Sequence, residues 1–384
     1  MTRCLSVLAL SAAVLFMNNA AAATSAGPAV VAKADRLLWH EPINSQQGFD
    51  KASRAALLVY VIAIQDMQKW SDSTMLANFK IKSINRASVD KWINHELALS
   101  LRNYQKAATD CVREDWTCLD AVANVMDLLI EAEATQEKIP AALKAWQANL
   151  ADFSRAYLSE QLRLAALFPK VSSEIDRFND NEWTGDALAD RQFFLSFDDG
   201  PSAVNGNTDE VLAMLAANQK NAVFFVLGEN FQNRLQKTNA LTLAGIYQQQ
   251  CVASHGWEHQ SHAKWHSWQD SIKRSQVLLN SVLTKDNLLP LFRPPYGQRK
   301  ADSGAFFQSL ALQVALWNLD SQDWNTQVNA DDIVNRMLTL MLIKRHGVLL
   351  FHDVHPKAKV ALPKLFHQLG EAVSWEDCHL LVKK

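Results

Sequence analysis

Residues 193–202 read FFLSFDDGPS: four apolar residues and one serine, then two adjacent acids and Gly-Pro. A carboxylate buried beside a strand is costly unless it is paired or bound to a metal. Two neighbouring carboxylates also repel unless a cation or a partner separates their roles. HGWEH (255–259) sets His255 and His259 four apart, a spacing that lets both imidazoles face one ion on a helix or tight turn. With one acid from the pair they make a set of two histidines and one aspartate. Three protein ligands with open positions is the arrangement of a catalytic zinc, not a structural one. The second acid, held beside the metal, can take a proton from water. Each signal has a plain alternative: a surface histidine pair often does nothing, and acids before Gly-Pro often cap a helix. His40-Glu41 and His95-Glu96 have no second histidine in HExxH register, which excludes the common zinc-protease motif.

Something must position these groups. FFLSF, NAVFFVLG, FRPPYG, LQVALWNLD and GVLLFHD are short apolar runs suited to buried strands. Between them lie helical stretches such as TDEVLAMLAANQK and DDIVNRMLTLMLIK, so strands and helices alternate around a parallel sheet or barrel. Polar residues recur just after these strands: Asp198 and Asp199, Arg293, Asp320 and Asp323, His352 and Asp353. In βα barrels the C-terminal strand ends carry the chemistry.

Ahead of this half, residues 35–167 read as an all-α helical bundle of unknown role. DKASRAALLVYVIAIQDMQKW, RASVDKWINHELALSLRNYQKAA and IPAALKAWQANLADFSRAYLSEQLRLAALF carry apolar residues at helical spacing, and glycine is nearly absent. The polar, turn-rich residues 168–191 read as a linker. Residues 192–384 then form the catalytic-looking domain.

In that domain five motifs in order resemble the NodB-homology polysaccharide deacetylases, carbohydrate esterase family four. The resemblance runs from about Phe193 to the C-terminus. It implies an α/β fold, a distorted (β/α) barrel of NodB type, and metal-dependent hydrolytic N-deacetylation of an N-acetylglucosamine-containing polysaccharide. Peptidoglycan, chitin and poly-N-acetylglucosamine are the candidate polymers. SFDDG resembles the first motif, which implies Asp198 as catalytic base and Asp199 as metal ligand. HGWEH resembles the second and implies His255 and His259 as the other ligands of a divalent metal, zinc first, with cobalt or nickel possible. RPPY (293–296) looks like the third, with Arg293 orienting Asp198 and the Tyr296 backbone N–H holding the oxyanion. DSQDW (320–324) looks like the fourth, with Asp323 tuning the acid and Trp324 walling the acetyl pocket. LLFHD (349–353) looks like the fifth, with Leu350 lining that pocket and His352 as general acid. The family usually has Ser or Thr after the first histidine, where the hydroxyl braces the metal loop; this chain has Gly256. An O-acetyl esterase of xylan type would use the same apparatus, and an inactive glycan-binding module is a further alternative. Trp257, Trp265 and Trp268 could stack on sugar rings or simply pack locally.

The remaining features set the compartment. The start MTR, the apolar run CLSVLALSAAVLFM and Ala-x-Ala choices near Ala21–Ala23 read as a signal peptide over residues 1–23, hence export to the periplasm or outside. No later apolar run is long enough to span a bilayer; the longest is AALLVYVIAI. A net charge of -2 and the lack of like-charge blocks argue against a nucleic-acid partner. Four cysteines follow the leader. Cys111 and Cys118 are close enough to close a small loop, and Cys251 with Cys378 are left as a second pair or as buried free thiols.

Overall fold

The computed structural model describes residue 28, residues 30–120 and residues 122–381. The signal-peptide reading of residues 1–23 lies outside the described residues.

The first half is helical: α1 Gln46–Gln68, α2 Asp72–Phe79, α3 Arg86–Ala107, α4 Val125–Thr135 and α5 Lys144–Leu167. Side chains of Ser45, Ser71, Asn85 and Asn124 cap the first four of these helices by accepting exposed backbone N–H groups. The second half alternates strands and helices. Its strands are β1 Glu182–Trp183, β2 Gln192–Asp198, β3 Val223–Val226, β4 Cys251–Ser254, β5 Leu288–Phe292, β6 Gln313–Ala315, β7 Leu319–Asp320, β8 Gly347–His352 and β9 Ser374–Trp375. Its helices are α6 Asn207–Ala217, α7 Gly228–Lys237, α8 Ala240–Ile246, α9 Trp268–Val282, α10 Gly304–Ser309, α11 Ala330–Lys344 and α12 Ala358–Leu369.

The strands pair in the order β1-β6-β5-β4-β3-β2-β8-β7, with β9 added on β2, and all the pairings are parallel. The sheet is a distorted (β/α) barrel left open between β1 and β7. β2, β3 and β8 are buried at nearly every position, as strands covered on both faces must be. LQVALWNLD, one apolar run in the sequence, divides into β6 and β7.

Residues 168–191, read as a linker, are built into this sheet. They supply the edge strand β1. They are also pinned by the buried Arg299, which donates to Glu182 Oε1 at 2.9 Å and to the carbonyls of Ser173 and Asp176 at 2.7 and 2.9 Å. Both cysteine pairs are disulfide-bonded. Cys111–Cys118 closes the small loop, and Cys251–Cys378 ties β4 to the turn at Cys378–Leu380, so these are not free thiols.

α11 joins the two halves. Its residues from Met337 to Lys344 are all buried, and a helix apolar all round belongs in an interior. One continuous apolar core runs from Phe49, Leu57 and Tyr60 of α1 through Met337 and Met341 to Phe197 and Phe351 of the sheet. The two cations of α11, Arg336 and Lys344, point into the bundle and meet acids there. Lys344 Nζ lies 2.7 Å from Glu96 Oε2 of α3, and the Tyr60 hydroxyl donates to Glu96 Oε1 at 2.9 Å. Arg336 Nη2 lies 2.9 Å from Glu160 Oε2 of α5. Arg345, just past the helix, bonds Asp190 and Asp50 of α1 at 2.7 Å each.

A buried pair broken on one side leaves an uncompensated charge, which costs about 3–5 kcal/mol. Glu96→Gln is therefore expected to destabilise the protein by that order, read as a lower midpoint in urea denaturation. A Glu96→Leu/Lys344→Met double variant is expected to recover most of the loss.

Candidate active site

The two-residue period of each strand decides which groups share the cleft. In β2, Phe193, Leu195 and Phe197 face the helices, while Phe194, Ser196 and Asp198 face the interior of the curled sheet. In β8, Leu349 and Phe351 face outward, and Val348, Leu350 and His352 take the inner face. Cys251 and Ala253 point inward from β4, so His255 continues that row. Leu289 and Leu291 point inward from β5, so Arg293 continues theirs. The parallel register then sets Asp198 beside His352.

Asp199 follows Asp198 in a left-handed conformation, φ 75°. Non-glycine residues held there are strained, and such strain collects at functional sites. The turn is held by Asn230 Nδ2, which donates to the Asp199 carbonyl at 2.8 Å, and by the Leu227 N–H on the Gly200 carbonyl at 3.0 Å. Asp199 Oδ1 is buried and makes no hydrogen bond. It lies 3.4 Å from His255 Nε2 and 3.4 Å from His259 Nε2. His255 Nδ1 is 2.7 Å from the Arg293 carbonyl. A carbonyl only accepts, so Nδ1 carries the proton and Nε2 presents its lone pair to the cleft. Burial lowers the pKa of His259, which keeps that imidazole neutral as a metal ligand requires. Burial alone would raise the pKa of Asp199, but neighbouring positive charge, that of the protonated His352 included, outweighs it and holds the carboxylate ionised. Three electron-pair donors thus converge within 4.8 Å of one another. That donor set fits a divalent metal of the zinc type.

Asp198 is held apart from this set. Arg293 is fully buried, and its Nη1 donates to Asp198 Oδ1 at 2.8 Å and to Ser196 Oγ at 2.8 Å. Its other donors reach the carbonyls of Ala315 and Leu316 at 3.1 and 2.9 Å. Asp198 Oδ2 is left on the metal side, 3.8 Å from His255 Nε2. Opposite in charge, His352 is gripped by buried Asp323: Nδ1 lies 2.7 Å from Oδ1, and the His352 backbone N–H donates to Oδ2 at 2.9 Å. Burial would lower the pKa of His352, but the charge and hydrogen bond of Asp323 outweigh it, and the imidazole is pushed up to about 10.

The other residues singled out in the sequence meet at a cavity of about 300 Å³ above this centre, lined by Tyr296, Trp324, Leu350 and His352 among others. Tyr296 sits in a left-handed turn, φ 59°, with its ring edge-on to His259 at 4.4 Å and its side chain well exposed. Trp324 is also exposed, whereas Leu350 is buried in the inner face of β8. Trp257 and Trp268 are buried in local packing, against Arg274 and against Phe306 and Phe307.

The sequence reading missed several supports. Asp353 ends the fifth motif with no role implied for it by the sequence. It is buried, accepts from Thr208 Oγ1 at 2.6 Å, and presses against Gly200, where no Cβ would fit. Burial pushes its carboxyl up to about 7. Ser271 of α9 carries no motif signal in the sequence. Its hydroxyl accepts from the Trp257 N–H at 2.7 Å, so the brace on the histidine loop comes from a helix rather than from the residue after His255. Gly256 itself has φ 88°, and a Cβ there would lie 2.9 Å from His262 Cε1 and 3.1 Å from Ser271 Oγ. Nothing in the local sequence announces either contact.

Residues 186–315 match the family model described as polysaccharide deacetylase. The chain is 29% identical to a peptidoglycan-N-acetylglucosamine deacetylase of Bacillus cereus over 233 residues, 55% of this chain and 76% of the relative. It is 32% identical to a bifunctional xylanase/xylan deacetylase of Cellvibrio japonicus over 163 residues, which span 41% of this chain and only 22% of that protein. Among solved structures, a peptidoglycan N-acetylglucosamine deacetylase bound to a naphthalenyl N-hydroxybenzamide aligns at 23% identity. That alignment covers 51% of this chain and 90% of the other, with a TM-score of 0.45.

Two outcomes follow from this geometry. His352 is raised above its unfolded value of about 6.5, so its stabilisation is fully present below that pH and is lost as pH rises through about 10. Asp323→Asn is expected to bring the imidazole down to its ordinary value or below, read by NMR titration of the metal-free protein. The stability difference from wild type should be largest near pH 6 and fade above pH 10. Gly256→Ser restores a hydroxyl but forces a side chain into a left-handed position against His262. It is expected to lower the melting temperature and weaken zinc binding in calorimetric titration, and tighter binding would refute this account of the loop.

Proposed function

Because the C-terminal half of the chain belongs to the polysaccharide deacetylase family, we propose that the protein removes acetyl groups by hydrolysis from an N-acetylglucosamine-containing polysaccharide. The observation that carries the mechanism is the in-register pair Asp198 and His352, an oriented carboxylate beside a protonated imidazole, next to the donor set Asp199, His255 and His259. When bound there, a divalent metal supplies electrostatic activation of the acyl carbonyl and of water.

The chain's own residues do the rest. Asp198, with Oδ1 fixed by Arg293, takes the proton of the attacking water on its other oxygen. The backbone N–H of Tyr296 donates to the oxyanion as negative charge develops. Trp324 and Leu350 enclose the acetyl methyl group. His352 gives its Nε2 proton to the nitrogen as the carbon–nitrogen bond breaks, while Asp323 holds Nδ1. Acetate and a free amine result. Asp199 and Asp198 both help to raise the His352 pKa. Neutralising Asp199 removes part of that effect and brings the acid closer to the pH at which proton transfer is efficient.

The Bacillus relative's name supports peptidoglycan as the polymer, and chitin and poly-N-acetylglucosamine share the same acetamide. The Cellvibrio relative's name supports the second reading, O-deacetylation of a xylan-type glycan by the same groups. Two disulfides support an oxidising compartment, periplasmic or extracellular, and no described helix is long and apolar enough to cross a membrane.

Acetate release is the test, with purified protein on N-acetylglucosamine oligomers, peptidoglycan and acetylated xylan in parallel. We expect release from an aminosugar polymer, abolition by chelation, recovery with zinc or cobalt, and a loss of about 10²–10⁴-fold in Asp198→Asn. Release from xylan alone would select the O-acetyl reading, and no release from any glycan would leave a binding module.

A further inference from the structure

The cavity above the site has a second wall, made by the helical half. Gln161, Leu164 and Leu167 lie on α5 at spacings of three and line the cavity, and Val171 and Glu174 continue the wall beyond the helix. Residues three apart share a helix face. The adjoining face of α5, with Leu158, Leu162, Ala165 and Ala166, is buried in the common core. α5 therefore packs one side into the bundle and turns a partly open side to the cleft. The wall is not free to swing. Glu160 of α5 is paired with Arg336, whose Nε donates to the carbonyl of Asp320 at 2.9 Å. Asp320 ends β7 and lines the same cavity. All five wall residues lie before residue 186, outside the matched family region.

We propose that α5 and the segment 171–174 form a glycan-binding wall of the active-site cleft, a subsite for the aminosugar chain beside the residue being deacetylated. This rests on the deacetylase reading above. Leu164, Leu167 and Val171 offer an apolar ledge of the kind that takes the C–H face of a pyranose, while Gln161 and Glu174 offer hydrogen-bond partners for its hydroxyls. Exposed Trp324 and Tyr296 lie in the same cavity and supply aromatic surface for a sugar. Burial pushes the Glu174 carboxyl up to about 7, so near neutrality it can either donate to or accept from a hydroxyl. The cavity volume of about 300 Å³ is at the small end of ligand pockets, about 300–1,000 Å³. In so narrow a space the wall lies within reach of a sugar chain that extends beyond the acetyl group being removed.

The experiment compares a glycan with a substrate too small to reach the wall. Full-length Leu164→Trp and Gln161→Ala proteins, loaded with zinc, are assayed on N-acetylglucosamine oligomers of graded length and on 4-nitrophenyl acetate. Oligomer binding is measured separately by tryptophan fluorescence in an Asp198→Asn background. We expect Leu164→Trp to lower kcat/KM on the oligomers by about tenfold or more, the scale of a misfitted pocket contact. The loss on the small ester should be much smaller, and the oligomer Kd should rise in parallel. Gln161→Ala should move in the same direction, and it carries the test if the bulkier variant lowers the melting temperature. Equal losses on both substrates, or unchanged oligomer binding, would overturn the wall. If wild-type protein releases no acetate from any glycan while Leu164→Trp still weakens oligomer binding, the deacetylase reading fails and the wall stands.

Discussion

Arg293 places a permanent positive charge inside the sheet with no exposure to water. Desolvating such an ion costs several kcal/mol, and only a full set of partners offsets it. The chain supplies them from four places: Asp198, Ser196, and the carbonyls of Ala315 and Leu316, with the ring of Phe225 3.9 Å below the guanidinium. These come from β2, β3, β6 and the residue after it. The same residue's backbone carbonyl fixes the tautomer of His255. One buried cation therefore orients the proposed base with its side chain and a proposed metal ligand with its main chain. It also explains why the acid pair is not simply two repelling charges: each carboxylate faces a different partner.

α11 imposes the second constraint. It covers the outer face of the sheet, and its own far side is covered by α1 and α3, with side chains of the bundle closing its end. Asn103 donates to the carbonyls of Ile343 and Lys344 at 2.9 Å each, and Ser53 Oγ donates to the carbonyl of Leu342 at 2.6 Å. The last carbonyls of a helix have no partner within it, and here the other half of the chain provides them. With Lys344 and Arg336 also neutralised from that side, the α/β half taken alone would expose an apolar helix carrying buried cations. The two halves are thus parts of one packed body, and the proposed wall of the cleft follows from that packing.

Much of this was legible in the chain itself. Strand-end polar residues at Asp198, Arg293, Asp323 and His352 gave the sheet its chemical end, because in parallel βα units those ends converge. Once FFLSFD and GVLLFH are strands, their two-residue period settles the faces. Phe194, Ser196 and Asp198 must share a side, and Leu350 and His352 must share theirs. What could not be read was anything set by register between distant segments. Ser271 reaches the histidine loop from 14 residues away, and Asp353 meets Gly200 only because β8 lies beside β2. Residues 168–191 looked like a linker because a two-residue edge strand has too little apolar pattern to stand out among polar turns. The α5 wall was hidden because amphipathic spacing says that a helix has two faces, not what each will meet.

The charges in the cleft close the argument for a cation. Asp198 is matched by Arg293, and Asp323 by His352, which that pairing leaves protonated near neutrality against the effect of burial. Asp353 is pushed towards its neutral form by burial. Asp199 is what remains: ionised, its Oδ1 buried without a hydrogen bond, and faced by His259, which burial keeps neutral, and by the lone pair of His255. A carboxylate oxygen set 3.4 Å from two imidazole nitrogens is poorly placed unless a positive centre joins them. A divalent ion bound between Asp199, His255 and His259 would supply that positive centre. Asp198 and His352, the proposed base and acid, lie outside that donor set, which is the division of labour that the proposed acyl transfer to water would need.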